Sequence, residues 1–493
     1  MKKKYYITLF ICVNLICQNL AHTQAYDPDA RNVLPNIVVI IADDVSWNDF
    51  GCYGNAHAKT PNIDKLADSG IRFNNSILTT SSCSPSRISI MTGRYPHNTG
   101  AAELHTEPRV DFATIASGLK NNGYYTGQAG KWHMGELLRK GFDHIYDINK
   151  QNGDGGENMW VPSLKEREKG KPFFFWFASY DAHRPWGSND FSRSIGTADL
   201  KVPPTLVDND STRLDLAKYF MEIERFDFHV GEVVKELKRQ GVYDNTVIIV
   251  MADNGRPFPR DKTRLYDSGM KTPFIVHWAG NIKKGGVSNS LISAVDIAPT
   301  ILDICKVDAP KSFQGKSFKN LFSFPTMNFR SYAFSEHNWH DYEAHERMVR
   351  TEDFLYILNS RPEFSNQGPA DAVRSPSFRA MLKENKTRNL TPSQYDVFLS
   401  PRPSEELFFC KEDSLQLNNL IGDKKYATVY MQLKSVLQEW MDRTGDNIPV
   451  HLTKDWFDRD TGEKIEANVN IRGEMPGRVT EAEIKNVKII LKE

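Results

Sequence analysis

Four stretches of this chain follow one pattern, and it restricts the fold more than any other feature. "NIVVIIADD" (36–44), "YYTGQAGKWHMG" (124–135), "PFFFWFASYDAHRPW" (172–186) and "NTVIIVMADNG" (245–255) each begin as an apolar run and end abruptly in polar groups. An apolar run without alternation predicts a strand covered on both faces, as in a parallel sheet. Helical patterns lie between the runs. "TPNIDKLADSG" (60–70) has Thr60 as the expected cap, Pro61 in the first turn and Gly70 as the stop. Residues 210–241 carry apolar residues at helical spacing up to Gly241. Strands alternating with helices predict an α/β fold, a mostly parallel sheet with helices on both faces. Ligands then bind outside the carboxyl ends of the strands, so the four polar endings converge on one crevice.

The endings carry Asp43 and Asp44; Lys131 and His133; Asp181, His183 and Arg184; Asp253 and Asn254. Asp43, Asp44, Asp253 and Asn254 offer only oxygen ligands, which suits Ca²⁺ or Mg²⁺ better than zinc. "TTSSCSPSRISIMTG" (79–93) reads as a helix start with Pro85 at the first helical position and Gly93 as the stop, with Cys83 just ahead and Arg87 a turn further on. A helix N-terminus with Arg87, Lys131 and Lys262 around a hard cation describes a site for a tetrahedral oxyanion, sulfate or phosphate. His133 and His183 can supply general acid and base. The residues alone therefore predict a metal-assisted hydrolase of phosphoryl or sulfuryl esters.

The rest of the chain sets the context. Lys and Arg together number 62 and so do Asp and Glu, so no global field favours nucleic acid. Residues 1–25 have three lysines, a short apolar stretch and "TQA", the pattern of a signal peptide; the apolar part is too short for a comfortable membrane span. Export to the periplasm is expected, with secretion or surface association as variants and no stable membrane insertion. Ile16 before Cys17 is too bulky for a lipid-attachment signal. The cysteines at 52, 83, 305 and 410 have no framework spacing. A catalytic domain at 26–330, a smaller C-terminal subdomain at 331–450 and a peripheral extension at 451–493 are expected. In the subdomain, "RMVRTEDFLYILN" (347–359) and "EELFFCKEDSLQLNNL" (405–420) predict strands, 360–404 a polar loop and 425–442 a helix.

"CSPSR" followed by "TGRYPHNTG" resembles the signature of the formylglycine-dependent sulfatases, and "ADD", "GKWHMG", "DAHRPW", "ADNG", "KTRLYDSGMKTP" and "EELFFCKEDSLQLNNL" follow in the family's order. The resemblance implies an alkaline-phosphatase-like fold, a large mixed sheet between helices with a smaller α+β C-terminal part and its short antiparallel sheet. It implies that a formylglycine-generating or anaerobic sulfatase-maturating enzyme oxidises Cys83 to formylglycine, whose hydrate is the nucleophile. Asp43, Asp44, Asp253 and Asn254, with the modified Cys83, would hold Ca²⁺. Arg87 would orient the hydrate, and Lys131 and Lys262 would bind sulfate oxygens. His183 would assist the leaving group, and His133 would take the proton that releases sulfate. "SSCSPSR", "FASYDAHRPW" and "ADNGRPFPRDKTRLY" are most similar to the N-sulfoglucosamine sulfohydrolases, the heparan sulfamidases. By that analogy Asp181, Arg184, Glu336, His337 and His340 would line a sugar subsite. The substrate would be a sulfated oligosaccharide or polysaccharide, a glycosaminoglycan or an algal polymer such as ulvan. Two alternatives stay open: a phosphatase or phosphomutase of the alkaline-phosphatase superfamily, which places Ser or Thr where Cys83 stands, and a carbohydrate-binding relative without activity.

Overall fold

The computed structural model describes residues 34–187 and 195–477; the expected signal peptide at 1–25 and the end of the tail from 478 lie outside them. An eight-stranded sheet runs in the order His144–Tyr146, Tyr125–Gly130, Phe173–Ala178, Asn36–Ala42, Thr246–Ala252, Phe274–His277, Ile71–Phe73, Gly286–Ser288. Every pairing is parallel except the two made by Phe274–His277. The four apolar runs are its adjacent central strands. Val38 and Ile40 pack with Phe175, Phe177, Ile248 and Val250 against helix Asp210–Arg239. The alternate residues Ile37, Val39 and Ile41 are fully buried too. Both faces are covered, which is why these strands lack alternation.

Helix Pro61–Ser69 ends at Gly70 as expected, but Thr60 does not cap it. The Thr60 hydroxyl accepts from the Gly51 N–H (2.8 Å) and donates to Asp64 (3.0 Å), tying the helix to the turn before it. Helix Cys83–Thr92 stops at Gly93, whose φ of +61° favours glycine, but starts two residues earlier than Pro85 suggests. The first four N–H groups of a helix have no intrahelical acceptor, so Pro85 fits as its third residue and Cys83 becomes its first.

The second sheet is antiparallel and has four strands, Ala333–His337, Glu346–Arg350, Phe354–Asn359 and Glu405–Phe409. Phe334, Val349, Tyr356 and Leu407 bury one face against Leu433, Leu437 and Trp440 of helix Ala427–Thr444. Two expectations fail in this part of the chain. The stretch 360–404 contains helix Pro376–Lys386, capped by Ser375, with Phe378 and Met381 in the main core. Residues 451–477 are not peripheral: Trp456 packs edge-on against Trp339 at 4.8 Å, and Thr453 and Arg472 both bond Glu103 at 3.0 Å.

His345, just before the inner strand Glu346–Arg350, carries a pH dependence. Its Nε2–H donates to the Asn447 carbonyl (3.1 Å), and burial pushes its pKa down from 6.5 to about 3. Between those values the unfolded chain takes up a proton that the fold refuses. The stability tied to neutral His345 is therefore full above pH 6.5 and is lost as pH falls towards 3. The loss amounts to about 1.4 kcal/mol per pH unit. His345→Gln is expected to lose less stability than wild type between pH 7 and pH 4 in urea titrations; parallel curves would contradict this.

Candidate active site

Register brings the polar endings together. Ala42 pairs with Ala252, and Ala178 lies between Ile41 and Gly130, so four neighbouring strands end in one row. Asp43 and Asp44 then stand beside Asp253 and Asn254, all four completely buried. The Asp43 N–H donates to the Asp181 carbonyl (2.7 Å) and the Asp44 N–H to Asp253 Oδ1 (3.3 Å), which fixes the order of the acids. Asp44 takes a φ of +58°, a conformation that Asp tolerates better than most residues. Gly130 turns the chain into Lys131 at φ +94°, and a Cβ there would lie 1.9 Å from the Ala178 carbonyl oxygen.

Helix Cys83–Thr92 points its first residue into this row. The Cys83 Sγ lies 3.6 Å from Asp43 and 3.9 Å from Asp44. One turn later, Arg87 donates through Nε to Asp253 (2.7 Å) and through Nη1 to the Lys131 carbonyl (3.3 Å). Lys131 pairs with Asp43. Lys262 Nζ lies 2.7 Å from Asp44 Oδ1. His183 places Nε2 4.0 Å from Asp44 and 3.9 Å from Asp371, while its Nδ1–H donates to the Arg184 carbonyl. Cys83, Lys131, His133, His183, Lys262 and His340 line one cavity of about 620 Å³.

Electrostatics separates the roles. Burial pushes the Cys83 thiol well above its usual range in spite of Lys131 and Lys262. Burial thus works against the thiolate that a helix N-terminus would otherwise favour. Asp43 is buried as well, but Lys131 and Arg87 hold its carboxyl far below the usual carboxylate range. Burial and then Asp43 push Asp253 up to about 6, and burial raises Asp44.

The donor set suits a hard cation. Ligand atoms of Asp43, Cys83 and Asp253 lie within 4.8 Å of one another, as do those of Asp44, Cys83 and His183. The Asn254 Oδ1 is buried with no hydrogen-bond partner. Asp43, Asp44 and Asp253 balance Arg87, Lys131 and Lys262, so a divalent ion would leave the wall with a net charge of about +2, matched to an oxyanion.

The expected sugar subsite is corrected in part. His340 is at the cavity, with Nδ1 2.7 Å from the Ser82 hydroxyl. Arg184 is held bidentately by Asp215 at 2.7 Å, between Trp186 and Phe258, and lines an adjoining cleft. Asp181, Glu336 and His337 do not line the cavity. The Asp181 carboxylate is spent on Arg225 (2.7 Å), Glu336 accepts from the His97 backbone and ring (both 2.9 Å), and His337 faces a small enclosed space beside Glu346 and Arg402. A buried carboxylate needs such partners, which only the folded chain supplies. His105, Asp341, Asp371 and Arg374 line the cavity unannounced. His105 and Asp341 come from loops, and Asp371 and Arg374 from the short helix Ala370–Val373 and its C-cap, so none follows a strand signal.

A family model described as "Sulfatase" matches residues 35–307. The chain belongs to the sulfatase family. A second model, "N-sulphoglucosamine sulphohydrolase, C-terminal", matches residues 258–361 of this sulfatase, a span holding Lys262 and His340. An ulvan-active sulfatase of Formosa agariphila is 27% identical over 84% of this chain and 76% of its own length. The human N-sulphoglucosamine sulphohydrolase is 28% identical over 83% of this chain and 90% of its own. A solved structure in complex with its substrate D-glucosamine-2-N,6-O-disulfate superimposes with a TM-score of 0.65 at 21% identity, covering 83% of this chain and 98% of that one. The fold is thus the alkaline-phosphatase-like one of the sulfatases, and the family's chemistry is the hydrolysis of sulfuric esters.

Proposed function

We propose that this sulfatase removes sulfate from sulfated carbohydrates, with N-sulfoglucosamine units as the first substrate class, through a formylglycine made from Cys83. The observation that carries the reading is the Cys83 side chain at the cavity wall, on the first residue of its helix and ringed by three acids and three cations. The match to the N-sulphoglucosamine sulphohydrolase C-terminal model supports the substrate class, and the ulvan-active relative supports O-sulfated algal polymers as the next candidate.

A hydrated formylglycine would supply the hydroxyl that attacks sulfur. A calcium ion, or magnesium, held by Asp43, Asp44, Asp253 and Asn254 with residue 83 would neutralise a sulfate oxygen. The chain's own residues do the rest. A sulfate monoester is shielded by its own oxygens, so Arg87, Lys131 and Lys262 must offset charge during in-line attack. With Nδ1–H held by the Arg184 carbonyl, His183 keeps Nε2 on the cavity side, where it can give a proton to the leaving oxygen or nitrogen. His133 takes the proton that allows sulfate to leave.

Cys83 is only 2% exposed and already helical, so the maturing enzyme must read Cys83, Pro85 and Arg87 before the chain folds. The basic and apolar start at 1–25 supports export to the periplasm. Among the described residues no helix is long and apolar enough to cross a membrane.

Two measurements test the reading. Natively expressed protein should yield a Cys83 peptide that has lost sulfur and two hydrogens and gained one oxygen. The enzyme should release sulfate from D-glucosamine-2-N,6-O-disulfate, the N-sulfate first. Sulfate release from ulvan oligosaccharides alone would move the substrate to O-sulfated algal glycans. Release of phosphate from matched phosphate monoesters in preference to sulfate would sink the reading.

A further inference from the structure

His133 is expected to act as a base, yet its own turn leaves it loosely defined. It follows Lys131 beyond the strand end at φ +52°, and its Nδ1 is buried without a hydrogen-bond partner. Its other nitrogen is engaged: Nε2 lies 3.0 Å from Nδ1 of His105. Two imidazole nitrogens at that distance share one proton, because two N–H groups would clash and two lone pairs would repel.

His105 is itself held by several separate elements. Its backbone N–H donates to the Ser84 hydroxyl (3.0 Å), next to Cys83. Its ring stacks on Trp456, with centroids 6.3 Å apart and planes at 15°. It adopts φ +60°, and its loop is anchored where Glu103 meets Thr453 and Arg472 at 3.0 Å. The segment 451–477 thus braces the loop that carries His105.

We propose that His105 is a positioning residue that fixes the tautomer and orientation of His133. His105 Nδ1 accepts from the His133 Nε2–H, and the His133 Nδ1 is left as a lone pair. The burial of Nδ1 favours that arrangement, because an N–H there would be left without an acceptor. The inference rests on the role given to His133 above and extends it to a residue that acts through His133.

The test follows sulfate release from D-glucosamine-2-N,6-O-disulfate and from ulvan oligosaccharides, with thermal melting as the control for folding. His105→Phe keeps the ring stack and loses the nitrogen; kcat is expected to fall about 10–100-fold with KM within about 3-fold. His105→Asn, whose amide oxygen falls near the position of the ring Nδ1, is expected to recover most of that loss. His133→Ala should be the most impaired. Normal kcat in His105→Phe beside an impaired His133→Ala overturns the positioning role alone. The same follows if His105→Asn is as slow as His105→Phe. Full activity in both His133→Ala and His105→Phe, or no sulfate release by wild type, overturns the proposed function and this inference with it.

Discussion

Cys83→Ala is expected to lose at least about 10⁴-fold in turnover while its melting temperature stays within a few degrees of wild type. The side chain belongs to a small cluster with Leu104, Trp339 and Trp456 at the cavity wall, and its replacement removes only one sulfur. The stability cost is about 1 kcal/mol. Cys83→Ser is the sharper variant, because it restores the shape and a hydroxyl. A serine hydroxyl that attacked sulfur would retain the sulfate as a stable ester, having no second hydroxyl to expel it. The expected result is at most one equivalent of desulfated sugar per enzyme, with no free sulfate and no steady state, read by sugar product and by the added sulfuryl mass on the intact protein. Steady turnover by either variant, or by wild type whose Cys83 remains a thiol, would refute the mechanism.

Asp44→Ala is expected to lose about 10³-fold in activity and, independently of activity, its response to calcium. In the wild type, calcium at 100 times its dissociation constant should stabilise the fold by about 2.7 kcal/mol, visible as a rise in melting temperature that a chelator reverses. Asp44→Ala removes a carboxylate of the set, and that rise should disappear. The variant should also be less stable without metal. Lys262, 1% exposed, loses its carboxylate 2.7 Å away, and breaking a buried pair costs roughly 3–5 kcal/mol. An unchanged calcium shift in Asp44→Ala would remove Asp44 from the ligand set, whatever happens to activity.

These predictions draw on residues of different legibility. Asp43, Asp44, Asp253 and Asn254 follow apolar strands directly, and a parallel sheet aligns such endings by register, so their meeting could be anticipated. Lys262 could be read as a candidate cation for the oxyanion, but its role became specific only through the family's motif order, since it lies in a loop without periodicity. Asp181 stood out for the same reason as His183, yet the chain uses its carbonyl to orient Asp43 and its carboxylate to hold Arg225. Which of two nearby polar groups faces a cavity is a matter of one backbone rotation. Local sequence does not encode that choice.

By itself the sequence determined the mostly parallel sheet, the polar endings of its central strands, the oxygen-rich acid set and the family signature around Cys83. Each is written in local periodicity or in spacing along a few residues. The tertiary structure alone decided that Cys83 begins its helix and is buried. It alone decided that Asp341, Asp371 and Arg374 wall the cavity and that Trp456 and Arg472 brace His105 beside His133. Those are contacts between residues up to hundreds of positions apart, set by how loops settle once the sheet has formed. Burial, which pushes up the Cys83 thiol and sets the ion pairs of the acids, exists only after they have settled.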